Sequence, residues 1–138
     1  MCPAIVIEYA KTLIGTPYKW GGSNPISGFD CSGLVQELLS AAGIDPVGDQ
    51  SAQAFHDHFV KTSQPNVMGP GALAFYGKSE KEISHITFMI DERFCIGANG
   101  GGSKTVDEAA ADKANAFVKI RPVDYRSDLV AILMPKYF

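Results

Sequence analysis

Two residues in this chain have the chemistry and the setting of a nucleophile and its base. Cys31 lies in the run Gly28-Phe29-Asp30-Cys31-Ser32-Gly33-Leu34-Val35, where a turn opens straight into an apolar helical pattern. A free thiol has a pKa of ~8.5, and the open N–H groups and positive dipole end of a helix stabilise its thiolate, so this placement favours the nucleophilic form near neutral pH. Such a thiol needs an imidazole that arrives from elsewhere in the fold. Of the three histidines only His85 begins a β-type apolar run, where a sheet would fix its ring. The plainer readings are a small core cysteine in an amphipathic helix and a strand-edge histidine that bonds locally.

The elements that must position this pair are legible from their ends and their periods. Asp30 is a good N-cap type, Leu34, Val35, Leu38, Leu39 and Ala42 form a wide apolar face, and Gly43 supplies a C-terminal stop. Gly33, one turn in, leaves room for a substrate or another backbone to approach. Pro3 followed by Ile5, Val6, Tyr9 and Leu13 at helical spacing predicts a first helix, and Ser51 to Lys61 a short one with Ala52, Phe55 and Phe59 on one face. Beyond Gly71 the texture becomes short β-type runs: Ala72 to Tyr76, His85 to Ile90, Phe94 to Ala98, Phe117 to Arg121 and Leu129 to Met134. Helices first and strands later predict an α+β fold with a mainly antiparallel sheet of five or six strands.

Composition narrows the function classes. At 138 residues the chain has the length of one domain, 1–138, and a formal charge of -3 argues against a nucleic-acid binder, whose footprint would be basic. Cys2, Cys31 and Cys95 are an odd set, so at least one is a free thiol; Cys2 has no assigned role. No run approaches ~18 apolar residues, and the N-terminal stretch lacks a basic region and a cleavage site, which predicts neither a membrane span nor a signal peptide. His56 and His58 tempt a metal reading, but i, i+2 spacing points helical ligands apart, so they read as part of a solvated helix; no metal or other cofactor is expected. Gly97 to Thr105 superficially looks like a phosphate loop, yet Ser103 stands where a P-loop needs Lys. Thr105-Val106-Asp107-Glu108 is a capping-box pattern opening a short surface helix.

Tyr18-Lys19-Trp20-Gly21-Gly22, then Pro25, then Phe29 to Val35, resembles the signature of the NlpC-type cell-wall cysteine peptidases, a papain-like group of bacterial and phage enzymes. The resemblance continues through Gln50-Ser51-Ala52-Gln53, Pro70-Gly71-x-Leu73-x-Phe75 and Ser84-His85-Ile86, to about residue 100. It implies a papain-like domain in which Cys31 attacks a peptide carbonyl, His85 takes the thiol proton and later protonates the leaving amine, and water hydrolyses a thioester. It places the Tyr18 hydroxyl near Cys31 to stabilise the oxyanion with helix-start N–H groups, a packed aromatic being the structural alternative. Asp30 and Ser32 match substrate-contacting positions, although Asp30 could serve purely as the helix cap. Trp20 reads as packing or a wall of the cleft. The implied substrate is a peptidoglycan stem peptide, commonly cut at the γ-D-glutamyl bond to diaminopimelate or lysine.

Three departures qualify the match. Ala72 stands where an acidic residue is common after Pro-Gly, and the expectation is of a peptidase domain alone, with no appended wall-binding domain. The third departure bears on catalysis, because twelve residues beyond His85, where the family places a His, Asn or Gln, this chain has Gly97. If Phe94 to Asn99 is a strand paired with His85 to Ile90 through Asp91-Glu92-Arg93, then Cys95, Gly97 and Asn99 share one face, and the Asn99 amide is the expected orienting group for His85. The alternatives are a catalytically weakened phage tail or structural component of the same fold, and an acyltransferase on the same core. Without a signal peptide the protein would reach the wall by another route, with a phage tail, a secretion apparatus or an immunity protein as possible partners.

Overall fold

In a computed structural model of the chain, residues 3–18, 23–24, 28–46, 51–98 and 117–137 are described. Three helices, α1 (Pro3–Thr12), α2 (Cys31–Ala42) and α3 (Ala52–Phe59), precede most of the sheet. Their ends are set by the residues that the sequence nominates. Asp30 caps α2, its Oδ1 accepting from the Gly33 N–H at 2.7 Å, and Gly43 closes it with φ at 77°, a left-handed conformation that costs glycine little. Ser51 caps α3 by accepting from the Ala54 N–H at 3.1 Å, and the helix ends at Phe59, two residues before the expected Lys61.

The sheet comprises β3 (Gln64–Pro65), β4 (Leu73–Gly77), β5 (Ile83–Met89), β6 (Phe94–Ala98), β7 (Val118–Pro122) and β8 (Leu129–Met134), in the order β3-β8-β4-β5-β6-β7 with every pair antiparallel. A separate two-residue ladder joins β1 (Ser23–Asn24) to β2 (Gly28–Phe29) just before α2. The longer strands begin and end within two residues of their expected positions. The β5–β6 turn is fixed by Asp91, whose Oδ1 accepts from the N–H groups of Arg93 and Phe94 at 2.8 Å each.

Alternation along β4 divides the sheet's two faces. Leu73 and Phe75 join Ile86, Phe88 and Ile96 in a layer covered by Leu34, Leu38 and Leu39 of α2 and Phe55 of α3. Ala74 and Tyr76 lie opposite, with Met89, Cys95, Val123 and Ile132. The helical layer therefore presses α2 onto β5, the contact that any partnership between Cys31 and His85 requires. Register slips at Tyr76/Gly77 against β5 and at Phe75/Tyr76 against β8, so the end of β4 nearest His85 is bulged.

Candidate active site

Cys31 is the first residue of α2, and its sulfur lies under the backbone of β5: the N–H groups of Ile86, Ser32 and Cys31 itself act on it as hydrogen-bond donors. Ile86 directly follows His85, so the helix start and the histidine's strand meet at this point. Those donors lower the thiol's pKa, as the helix-start argument requires, but they do not prevail. Burial, and after it the Asp30 carboxylate, push the Cys31 thiol up to about 11. The expected enrichment of thiolate near neutral pH is thus corrected: at rest Cys31 carries its proton.

Tyr18 is brought to the same place. Its backbone bridges Phe29, its side chain is buried, and burial together with the nearby Cys31 and Asp30 holds its hydroxyl far above the usual range. It is therefore a neutral donor beside the sulfur. Asp30 serves as the cap and also accepts from Ser32 Oγ at 3.3 Å, so both residues flank Cys31. Trp20 and Asn99 lie outside the described residues, as do Cys2 and the Thr105 capping-box segment.

His85 is 6 % exposed on β5, directly across from Tyr76 of β4, with the two rings 5.4 Å apart. Its Nε2 lies 2.9 Å from the hydroxyl oxygen of Tyr125, a residue of the turn between β7 and β8 that sequence reasoning missed. The only signal was an aromatic in an otherwise polar turn, which does not say where the ring points. Arg126 next to it makes two bonds to the Asp128 carboxylate, 2.8 and 2.7 Å, and its guanidinium lies 5.5 Å from the Tyr76 ring. An open cleft of about 370 Å³ runs along Gly77, Lys78, Glu82, Ser84 and Asp128 at this end of β5.

His56 departs from the solvated-helix reading. It is 5 % exposed, edge-on to Phe75, and its ring nitrogens bond Asp57 at 3.1 Å and Glu80 at 3.2 Å. Gln53, part of the family-like Gln50 to Gln53 run, accepts from the Ile83 N–H at 2.7 Å and donates to the Glu80 carbonyl at 2.9 Å. Both residues tie α3 to the loop that feeds β5. Among the described residues no group of three or more His, Cys, Asp or Glu side chains could hold a metal ion.

The sequence pattern of the NlpC/P60 family matches residues 15–120, a stretch that carries Cys31, His85 and the elements between them. The chain belongs to the NlpC/P60 family. Over 104 residues this NlpC/P60 chain is 36% identical to the bifunctional muramidase/DL-endopeptidase CwlT of Bacillus subtilis, covering 74% of this chain and 31% of that protein. Over 81 residues it is 54% identical to the gamma-DL-glutamyl hydrolase of Bacillus subtilis, covering 58% of this chain and 19% of the relative. The chain thus spans less than a third of either relative's length. Among solved structures, an NlpC/P60 family protein from Bacillus cereus superposes with a TM-score of 0.75 at 17% identity, covering 99% of this chain and 40% of that one. The NlpC/p60 domain of the peptidoglycan hydrolase SagA gives 0.71 at 24% identity, covering 96% and 98%. These likenesses establish the NlpC/P60 fold: helices packed on an antiparallel open sheet.

Proposed function

We propose that this chain is a cysteine endopeptidase of peptidoglycan stem peptides, folded as one unit over residues 1–138. The observation that carries the reading is the seating of Cys31, at the head of α2, against the β5 backbone immediately after His85. Because the thiol rests protonated, attack requires proton transfer in the same step. Cys31 Sγ bonds to the scissile carbonyl carbon as its proton passes to His85 Nδ1, since Nε2 faces Tyr125. The carbonyl π pair moves onto oxygen, where the Tyr18 hydroxyl and helix-start N–H groups stabilise the oxyanion. Collapse expels the amine, which takes the proton from His85 and leaves a thioester. Water, deprotonated by His85, then releases the acid and restores the thiol.

The bond we assign is the one after D-glutamate in the stem peptide. Relatives named a DL-endopeptidase and a gamma-DL-glutamyl hydrolase support that choice. Thiol–imidazole chemistry suits acyl transfer and lacks the paired carboxylates that glycan cleavage uses. Asp30, Ser32 and Trp20 are assigned to substrate contacts.

The test is incubation of the purified protein with defined muropeptides and identification of products by mass. Peptide fragments ending in D-glutamate, with the glycan whole, are expected. New reducing sugar ends with intact stem peptides would overturn the reading. Transfer of the acyl group to an added amine in place of water would instead favour an acyltransferase, and inertness a structural role.

A further inference from the structure

The position twelve residues beyond His85 is Gly97, which has no side chain to orient an imidazole. Yet His85 Nε2 has a partner from a different part of the chain, the Tyr125 hydroxyl at 2.9 Å. We propose that Tyr125 is the positioning residue of His85, accepting a hydrogen bond from Nε2–H and so holding the ring in the tautomer whose Nδ1 can take the Cys31 proton. This inference rests on the nucleophile and base assignment made above.

Three features show that Tyr125 is itself held in place. Its backbone N–H donates to the Pro122 carbonyl at 3.0 Å, which closes the turn. Its ring packs against Tyr76 at 5.7 Å, and Arg121 of β7 stacks over it at 5.5 Å. Arg126 hydrogen-bonds the hydroxyl and is in turn gripped by Asp128. An arginine donating to the oxygen occupies one lone pair and leaves another for Nε2–H. Burial and the nearby Cys95 push the hydroxyl up to about 12 while Arg126 and Arg121 oppose them, so at working pH it remains a neutral phenol.

The guanidinium nearest the base is paired. The groups around His85 are Tyr76 from β4, Tyr125, Arg126 and Asp128 from the β7–β8 turn, and, over the Tyr125 ring, Arg121 of β7, while Cys31 at the head of α2 meets the backbone of the next residue, Ile86. A lone guanidinium two bonds away would oppose protonation of the imidazole. The Asp128 carboxylate neutralises it and also feels the His85 charge directly. The turn thus supplies an acceptor for Nε2–H and pairs the charge of Arg126, with Arg121 over the far side of the Tyr125 ring.

The decisive measurement on the wild-type protein needs no substrate: ¹⁵N chemical shifts of the His85 ring. Neutral His85 is expected as the Nε2–H tautomer, and an Nδ1–H tautomer would overturn the proposal. In Tyr125→Phe the ring stays and only the hydroxyl goes. Loss of the acceptor disfavours the imidazolium, so the pH midpoint of His85 should fall by about 0.5 or more. Turnover of muropeptides should fall about tenfold or more, in kcat with KM little changed, because a mis-set tautomer affects the proton transfer and not binding. Tyr137→Phe, which removes a comparable hydroxyl bond to the Gly71 carbonyl at 2.6 Å, should leave both the His85 midpoint and kcat in place. An unchanged midpoint and kcat in Tyr125→Phe would refute the role. Inert muropeptides alongside the expected tautomer and midpoint would count against the substrate assignment alone.

Discussion

Asp30 performs two tasks that one substitution separates. Its Oδ1 caps α2 through the Gly33 N–H at 2.7 Å, and its charge is the second cause, after burial, of the raised Cys31 thiol. Asparagine caps a helix as well as aspartate does but brings no charge. With the thiol at about 11, roughly one molecule in a thousand is thiolate at about pH 8. Asp30→Asn removes the smaller of the two raising causes and leaves burial, so the thiol should fall by about 0.5–1 pH unit and stay above its ordinary value. Thiolate would then be about three- to tenfold more abundant. A less basic thiolate is also a poorer nucleophile, with a Brønsted coefficient of about 0.5, so the net gain in rate is about two- to threefold.

The assay is alkylation of Cys31 by iodoacetamide across pH, resolved by peptide mass so that Cys2 and Cys95 are read separately. Asp30→Asn should show the lower midpoint with a melting temperature close to wild type. Asp30→Ala, which loses the cap, should cost about 1 kcal/mol and melt several degrees lower. A midpoint that stays or rises in Asp30→Asn would refute the electrostatic account. A melting loss equal to that of Asp30→Ala would refute the capping account. A rise in KM in Asp30→Asn with kcat preserved would assign Asp30 a substrate contact as well.

Other outcomes follow from the same geometry. Cys31→Ala should fold and lose turnover, while Cys95→Ala, which lies away from the head of α2, should stay near the wild-type rate; a Cys31→Ala protein that still cleaves muropeptides would remove the nucleophile. The raised thiol stabilises the fold in full below its unfolded value of 9.0 and loses that contribution as pH climbs through about 11. Chemical denaturation should therefore show about 3 kcal/mol of alkaline loss that Cys31→Ala lacks, and equal alkaline losses in the two proteins would contradict the assignment. Gly77→Ala drives a Cβ into the Glu82 carbonyl at the bulge beside the Tyr76–His85 pair, so it should lower both melting temperature and kcat; wild-type values for both would show that the bulge does not locate His85.

Much of this fold was legible because its signals are local. The Asp30 and Gly43 ends of α2, the Ser51 cap of α3 and the period of two along β4 to β8 are each decided by residues within a few positions of one another. The two-residue strands β1, β2 and β3 were not, since a pair of residues has no period. His56 was misread for a related reason: its burial depends on Phe75 and Glu80, which the chain brings over from β4 and the loop beyond it. At the site, Cys31, His85 and Tyr18 were nominated by motif; Tyr18 lies close enough to Cys31 to feel its charge, and Cys31 meets the β5 backbone at Ile86, the residue after His85. Tyr125 was invisible, being 40 residues from His85 and aimed at it only by the β7–β8 turn. The thiol's acidity was judged from the helix start alone, and that argument had no access to the burial that outweighs it.

A protonated thiol and a tethered base make a coherent pair. Forming a resting thiolate–imidazolium ion pair here would cost desolvation of two buried charges, which close attraction only partly repays. With Cys31 neutral at about 11, that cost is deferred to the moment of attack. In the proposed mechanism charge then develops on the substrate oxygen, to be met by the Tyr18 hydroxyl and the helix-start amides, and on His85, beside the Tyr125 oxygen and, behind Arg126, the Asp128 carboxylate. On this reasoning the amides at the head of α2 act less by ionising the sulfur than by receiving the oxyanion. The two roles separate experimentally: Asp30→Asn should speed alkylation, which uses the thiolate alone, without a matching gain in kcat, which is limited by how well the oxyanion and the imidazolium are met together. Equal gains in both would mean that ionisation of the thiol governs turnover.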